Sequence, residues 1–357
     1  MSDTHNAFDL TTEAGVEAYL ADTPYACTRA ATLSGGSGNF AYRIYLRQPY
    51  EGASTVVLKH SKPYVKAMRN ITFDVKRQVF EVEALRRIRE WSPASAFVTV
   101  PTVYSHDEKE HAIIMSDCGA ESSDWKGSWG TSSEGFMHGG RGNKEVCDFF
   151  DGNQEAKVMA SWVSYGRVLE TFDGSLEKLR DPDVRVSEEE GKTLGRIVEE
   201  MDDAIKNATG TFVMGDFWPG NLVLSSDEAN NISQLFVLDW EVARPGLFSL
   251  ELGQFCAELV LLMRFNTTVC GQDAGLLLDE FLSSYARQIK PDFEMCRRAI
   301  VHLGVHLVTW TPRLEWGGKE ATQEVVKEGL GLILDGYIAE EEWLQKSVIG
   351  TLAKSVT

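Results

Sequence analysis

No two cysteines stand at C-x-x-C spacing, and all six (Cys27, Cys118, Cys147, Cys256, Cys270 and Cys296) are scattered through 357 residues. In a chain long enough to bury its own core, that scatter argues against a zinc knuckle or disulfide framework and for reduced thiols in a cytoplasmic protein. No stretch approaches the ~18 consecutive apolar residues of a membrane span, which excludes a transmembrane protein. The opening Met1-Ser2-Asp3-Thr4-His5-Asn6 has neither the basic nor the apolar region of a secretory signal. Basic residues are also short: 35 against 53 acidic ones leave a formal charge of −18. Nucleic-acid affinity comes largely from lysines and arginines neutralising phosphates, so a nucleic-acid partner is not expected. The same charge would assist a cationic small substrate.

What is present reads as a globular chain, 43% hydrophobic and 25% charged. Its length suits two domains or one two-lobed unit, and no internal repeat is visible. The first third alternates strand-like runs with one helix. Cys27 to Leu33, Phe40 to Leu46 and Thr55 to Lys59 read as strands, and a glycine turn, Ser34-Gly35-Gly36-Ser37-Gly38-Asn39, separates the first two. Val75, Val79, Val82, Leu85 and Ile88 recur at helical spacing. Phe97 to Tyr104 and Ala112 to Met115 read as two more strands. From Cys118 to about Asn153 the composition turns to Gly, Ser, Asp and Trp, the signature of a long loop. Helical patterns follow at 160–179, 188–207, 249–265, 274–290, 293–311 and 320–346, interrupted by a hairpin of 221–224 and 235–238. The fold class expected is α+β, a small sheet-rich lobe followed by a larger helical one.

Three polar signals stand out. Glycines in the turn 34–39 allow positive φ and let backbone amides approach an anion. No helix follows them, which rules out a dinucleotide-binding fingerprint. Gly191-Lys192-Thr193 resembles the end of a P-loop, but the earlier glycine is missing and no strand precedes it. Lys59 lies on an apolar strand and needs a counter-ion or phosphate if it faces inward. The following helix offers Glu81 and Glu83, which its apolar periodicity barely separates. The strongest signal is Met214-Gly215-Asp216-Phe217-Trp218-Pro219-Gly220-Asn221, followed by Val237-Leu238-Asp239-Trp240-Glu241. Antiparallel pairing of the two strands would bring Asn221 and Asp239 to one end of the ladder. Oxygen ligands converging there suit Mg²⁺, and Asp216 would serve as a base.

A glycine turn, a strand lysine, a helix glutamate, G-D-x-x-x-x-N and a strand-end D-x-E together resemble the aminoglycoside phosphotransferase and choline kinase superfamily, small-molecule kinases with a protein-kinase-like fold. The likeness covers nearly the whole chain and is nearer to 5-methylthioribose kinases and the fungal kinases related to them. Thr32 to Gly36, Asn39, Arg43 and Leu58 to Tyr64 match the nucleotide lobe; Met214 to Leu222 and Leu238 to Glu241 match the catalytic centre. The resemblance implies a bilobal fold, with a nucleotide-binding lobe at 1–117 and a helical lobe at 118–357 that carries the catalytic loop and acceptor site. It implies ATP and Mg²⁺ as cofactors and a hydroxylated small molecule as substrate, either an amine-bearing alcohol or phenol or a sugar. Asp216 would be the catalytic base. Gly35, Gly36, Ser37, Gly38 and Asn39 would cover the phosphates, and Lys59 would contact them, steadied by Glu81 in preference to Glu83. The backbone of Ser116 and Cys118 would meet the adenine, and Asn221, Asp239 and Glu241 would hold the metal. Trp162, Trp218, Trp310 and Trp316 are candidate walls for an aromatic or cationic acceptor.

Two departures matter. Met214 replaces the superfamily's usual histidine, and Arg297-Arg298 is spaced poorly to be the sugar-holding arginine pair of methylthioribose kinases. The rival readings are a nucleotide-binding pseudokinase acting as a binding module and a protein kinase. The second lacks the H-R-D, D-F-G and A-P-E triplets.

Overall fold

Residues 8–34, 36, 38–93, 96–119, 143–226 and 231–356 are described by the structure, a computed structural model. The chain divides into two units, Met1–Trp125 with Gly220–Val242 and Lys126–Pro219 with Ala243–Thr357.

The first unit begins with helix α1 (Glu13–Leu20), whose Thr12 side chain accepts from the Gly15 amide at 3.1 Å and caps the first turn. The chain continues through β1 (Cys27–Thr32), β2 (Phe40–Tyr50), β3 (Ala53–His60), a small hairpin of β4 (Tyr64–Val65) and β5 (Met68–Thr72), helix α2 (Arg77–Trp91), β6 (Val98–Thr99), β7 (Val103–Asp107) and β8 (Ala112–Ser116). Five strands form an antiparallel sheet in the order β1-β2-β3-β8-β7.

Period-two alternation decides which residues face where. Phe40, Tyr42, Ile44, Val56, Leu58 and Ile114 point to one face, where Val16 and Leu20 of α1 complete a core. Val57, Ile113 and Met115 point to the other and pack on Val82 of α2. Lys59 is two residues from Val57 and so emerges on the α2 side.

The run expected as one strand over 97–104 is instead two. β6 leaves the main sheet, and β7 starts after Pro101. Next come α3 (Lys144–Phe150), α4 (Gln154–Ser161), a π-helical turn (Trp162–Gly166), α5 (Arg167–Thr171), α6 (Glu188–Lys206) and β9 (Phe212–Val213). Then β10 (Leu222–Ser226) and β11 (Ile232–Val237) return to the first unit as an antiparallel hairpin. Parallel pairing with β6 ties this hairpin in, through Leu235 to Val98 and Phe236 to Thr99. β12 (Arg244–Pro245) pairs with β9 in the second unit.

That unit is otherwise helical: α7 (Phe248–Phe265), α8 (Gly271–Ile289), α9 (Phe293–Trp310), α10 (Lys319–Tyr337), α11 (Glu341–Lys346) and α12 (Gly350–Ala353). α9 and α10 cross at Gly304 and Gly329. A Cβ on Gly304 would lie 2.6 Å from the Gly329 carbonyl oxygen, so only glycine permits this approach. Val301, Val305 and Val308 of α9 meet Val326, Leu330 and Ile333 of α10 in the core.

The α+β class is the one expected from the sequence. Within the expected loop at 118–153, Lys144–Phe150 is helical, begun by the Asn143 side chain accepting from the Val146 amide; residues 120–142 lie outside the described residues. The helix expected over 160–179 winds through the π-turn and ends at Thr171, with only a 3-10 turn at Glu177–Leu179 beyond it. No described helix is long and apolar enough to cross a membrane.

Candidate active site

In the first unit the β3 lysine finds its partners. Lys59 Nζ donates to Glu81 Oε1 at 2.7 Å and to Asp239 Oδ1. Burial alone would disfavour its charge, but the Asp239 and Glu81 carboxylates outweigh that and raise its pKa, so it stays an ammonium. Glu81, 1% exposed, is the partner α2 supplies; Glu83 pairs instead with Arg87 one turn along, at 2.6 Å. The simple apolar stripe of α2 is misleading here. Val79 is exposed, while Arg77, Gln78 and Glu81 are buried, because this turn of the helix faces a polar centre.

The β10–β11 ladder pairs Leu222 with Val237, and the Leu238 amide donates to the Asn221 carbonyl at 2.8 Å. Asn221 and Asp239 therefore sit at the same end. Asp239 has φ +64°, a left-handed conformation that Asp and Asn tolerate best among residues other than glycine. Such strain persists where surrounding structure over-determines it.

Sequence reasoning missed Arg77. Its side chain is 1% exposed, and Nε donates to Glu241 Oε2 at 2.9 Å. Its Nη2 donates to Asn39 Oδ1 at 2.8 Å, and Nη1 donates to the Phe73 carbonyl at 2.7 Å. Asn39 in turn donates to Glu241 Oε2 at 2.7 Å and accepts from Ser61 Oγ at 2.7 Å. One guanidinium thus fastens the end of the glycine turn to the D-x-E segment. Gly38 passes so near that a Cβ there would lie 2.8 Å from Glu241 Oε1. Gly36 is exposed, and Gly35 and Ser37 lie outside the described residues. An arginine at the start of a helix, where no cation is favoured by the helix dipole, was the available clue. Removing one partner of a buried ion pair costs roughly 3–5 kcal/mol. Arg77→Met is expected to lose that much in a denaturant melt; a loss below about 1 kcal/mol would show the network to be incidental.

Carboxylate oxygens of Glu81, Asp239 and Glu241 lie within 4.8 Å of one another. Lys59 and Arg77 stand against these three carboxylates, and burial raises the Glu81 pKa against the lowering by Lys59. Glu81 Oε2 is buried without a hydrogen-bond partner among the described residues. An all-oxygen donor set of carboxylates fits a hard divalent cation such as Mg²⁺.

At the end of β8, the Ser116 amide is bound to the Thr102 carbonyl at 2.9 Å, and its hydroxyl accepts from the Thr102 amide. The Cys118 thiol donates to the Ser116 carbonyl at 3.6 Å. Burial pushes that thiol up to about 12, so it stays neutral. Arg43 holds the segment by donating to Asp117 at 2.6 and 3.1 Å and to the Gly119 carbonyl.

The second unit contains Asp216. Gly215 has φ +92°, and its amide donates to Glu251 Oε1 at 2.7 Å; Gln254 Nε2 donates to Asp216 Oδ1 at 2.7 Å. Glu251 and Gln254, three apart on α7, share one face. They hold a loop that begins at the buried Met214.

Burial pushes Glu251 up to about 7, against the lowering by the Gly215 amide and Arg244. The folded state therefore binds its proton more tightly than the unfolded chain, whose value is 4.5. Stability from this group is full below pH 4.5 and falls as pH rises towards 7, by up to about 3 kcal/mol at 1.36 kcal/mol per pKa unit. Glu251→Gln still accepts from Gly215 and should melt with a flatter pH dependence than wild type between pH 5 and 8; parallel profiles would contradict the shift.

Of the four candidate tryptophans, Trp162 and Trp310 both lie on the Arg167 guanidinium, 4.4 and 5.4 Å from its carbon to the ring centres. Trp316 stacks near Phe265 at 5.9 Å. Arg297 pairs with Glu294 and Glu200 rather than standing free for a sugar.

No family model matches the chain. It is similar to the 4-hydroxytryptamine kinase of Psilocybe cyanescens, 29% identical over 352 residues, covering 90% of this chain and 92% of that one. The methylthioribose kinase of Bacillus cereus (strain G9842) is 26% identical over 245 residues, 63% of this chain and 59% of that one. Among solved structures, the choline kinase of Cryptosporidium parvum is 12% identical with a TM-score of 0.43, covering 91% of this chain and 92% of that one. With its G-D-x-x-x-x-N and D-x-E motifs and these sequence relatives, the chain is similar to small-molecule kinases, phosphotransferases acting on a hydroxyl group.

Proposed function

We propose that the protein transfers the γ-phosphate of ATP to a hydroxyl of a small metabolite. The observation that carries this reading is Lys59 held between Glu81 and Asp239, beside Glu241, in an all-oxygen cluster of two buried carboxylates and one partly exposed one. Lys59 contacts the ATP phosphates, and Glu81 fixes its position. Asn221 and Asp239 hold Mg²⁺, with Glu241 as a further or water-mediated ligand. The metal, when bound, supplies charge neutralisation on the phosphates. Arg77 and Asn39 fix Glu241 and anchor the turn 34–39 that covers the phosphates. The Ser116 carbonyl and the Cys118 amide bind the adenine. Gln254 aims Asp216, which accepts or orients the proton of the acceptor hydroxyl. Phosphoryl transfer asks a protein for little beyond such positioning and charge compensation. The first unit, in this reading, binds the nucleotide, and the helical unit carries the base and the acceptor pocket.

An acceptor bearing an amine beside an alcohol or phenol is favoured by the charge of −18 and by the similarity to a 4-hydroxytryptamine kinase. ADP release, measured with Mg²⁺, ATP and a panel of hydroxylated amines and sugars, tests the reading. Turnover with at least one amine is the expected result. Tight Mg·ATP binding with no turnover across the panel would favour the pseudokinase alternative.

A further inference from the structure

A cationic site of another kind lies in the helical unit. Arg167, at the start of α5, is 9% exposed, and among the described residues its guanidinium makes no hydrogen bond or ion pair. Two indoles, Trp162 and Trp310, lie against it. The π-turn explains the first of them. Residues five apart diverge in an α-helix, where three- and four-residue neighbours share a face. The i→i+5 winding of Trp162–Gly166 brings Trp162 over Arg167. Gly166 leaves room for this, since a Cβ there would press on Trp162 Cδ1 at 3.3 Å.

Arg313 joins from the turn after α9. It spends one nitrogen, Nη1, on Thr171 Oγ1 at 2.8 Å and on the Thr309 carbonyl at 2.6 Å. Thr171 Oγ1 donates in turn to the Arg167 carbonyl at 2.8 Å, so the two arginines are joined by one threonine. Neither guanidinium is ion-paired among the described residues. The acids whose charge reaches them are Glu170, which is exposed, and Asp173, which accepts from the Ser175 amide at 2.7 Å instead. In a chain with 18 excess negative charges, two adjoining arginines with no ion-pair partner among the described residues are conspicuous.

We propose that Arg167 and Arg313, flanked by the indoles of Trp162 and Trp310, form a binding site for a small oxyanion, a carboxylate or phosphate group. The two rings lie 4.4 and 5.4 Å from the Arg167 guanidinium carbon and take none of its N–H groups in a hydrogen bond among the described residues, and such donors suit carboxylate and phosphate oxygens. The indoles exclude water and lower the local dielectric, which strengthens attraction to an anion. Burial pulls both guanidinium pKa values below the ordinary arginine value, the cost that an incoming anion relieves. The indoles already carry a cation, so this pair is not a cage for a substrate ammonium. The site stands independently of the phosphoryl-transfer reading.

Calorimetric titration of the full chain with inorganic phosphate, and separately with acetate, tests it. Saturable binding of at least one is expected, weakened at least tenfold in Arg167→Met and in Arg313→Gln. Circular dichroism monitors folding, and Arg313→Gln, at a half-buried position, decides the matter if Arg167→Met does not fold. Phosphate alone binding marks a phosphate site, and acetate alone a carboxylate site; either supports the proposal. No saturable binding, or binding equal in wild type and Arg313→Gln, overturns it.

Discussion

Asp216→Asn is expected to lower kcat by roughly 10²–10⁴-fold while leaving Mg·ATP affinity within about threefold of wild type. The substitution is sterically silent. Asparagine keeps an Oδ1 that accepts from Gln254 Nε2, so the loop stays in place, while the proton-accepting charge is lost. Steady-state ADP release and nucleotide titration on the same preparation separate the two effects. A fall in kcat with Kd unchanged isolates an interaction made only as the reaction proceeds. Turnover near wild type would remove Asp216 from its role as base. Equal losses of binding and turnover would mean that the variant had disturbed the loop.

The second large effect belongs to Asp239. Asp239→Asn is chosen over alanine because asparagine also tolerates the left-handed φ of +64°. Backbone strain then does not enter the comparison. Losing this carboxylate removes a direct donor from the oxygen cluster and leaves Lys59 paired with Glu81 alone. Changes to groups that merely support metal ligands cost roughly 10–100-fold in affinity or activity, so a direct ligand should cost about 100-fold or more. The Mg²⁺ concentration giving half-maximal activity should rise, and kcat should fall at saturating Mg²⁺. An unchanged Mg²⁺ requirement would contradict the ligand assignment.

Much of this architecture is legible in residue order. Period-two alternation in 40–46 and 55–59 marks the sheet, and β10 and β11 pair where a polar turn between two apolar runs says they should. That pairing alone gathers Asn221 and Asp239. The long helices α6 to α9 follow their apolar spacing, whereas the single helix expected over 320–346 is divided into α10 and α11 by residues 338–340.

What stayed hidden has physical causes. α1 is too short for its pattern to stand out, and β6 is a two-residue strand held by parallel pairing to a partner more than 130 residues away. The break between α4 and α5 is a π-turn, which the apolar periodicity of 160–179 does not signal. α2 misleads most. Its N-terminal turn buries Arg77, Gln78 and Glu81, a polar face that reads as solvent-exposed in any scheme that equates charge with surface. Glu81 and Glu83 cannot be distinguished until β3 shows which face Lys59 occupies. Arg77 and Glu251 escaped notice for a related reason. Each is a charged residue buried to hold another charged or backbone group, and its meaning lies in partners far off in the chain.

The most direct test is ATP titration into the wild-type protein, with saturating Mg²⁺ and again with the metal chelated. Residues 39, 59, 77, 81, 221, 239 and 241 acting together on a metal-bound triphosphate predict affinity at least about tenfold tighter with Mg²⁺, a margin corresponding to about 1.4 kcal/mol. ATP binding of equal strength with and without the metal would contradict it.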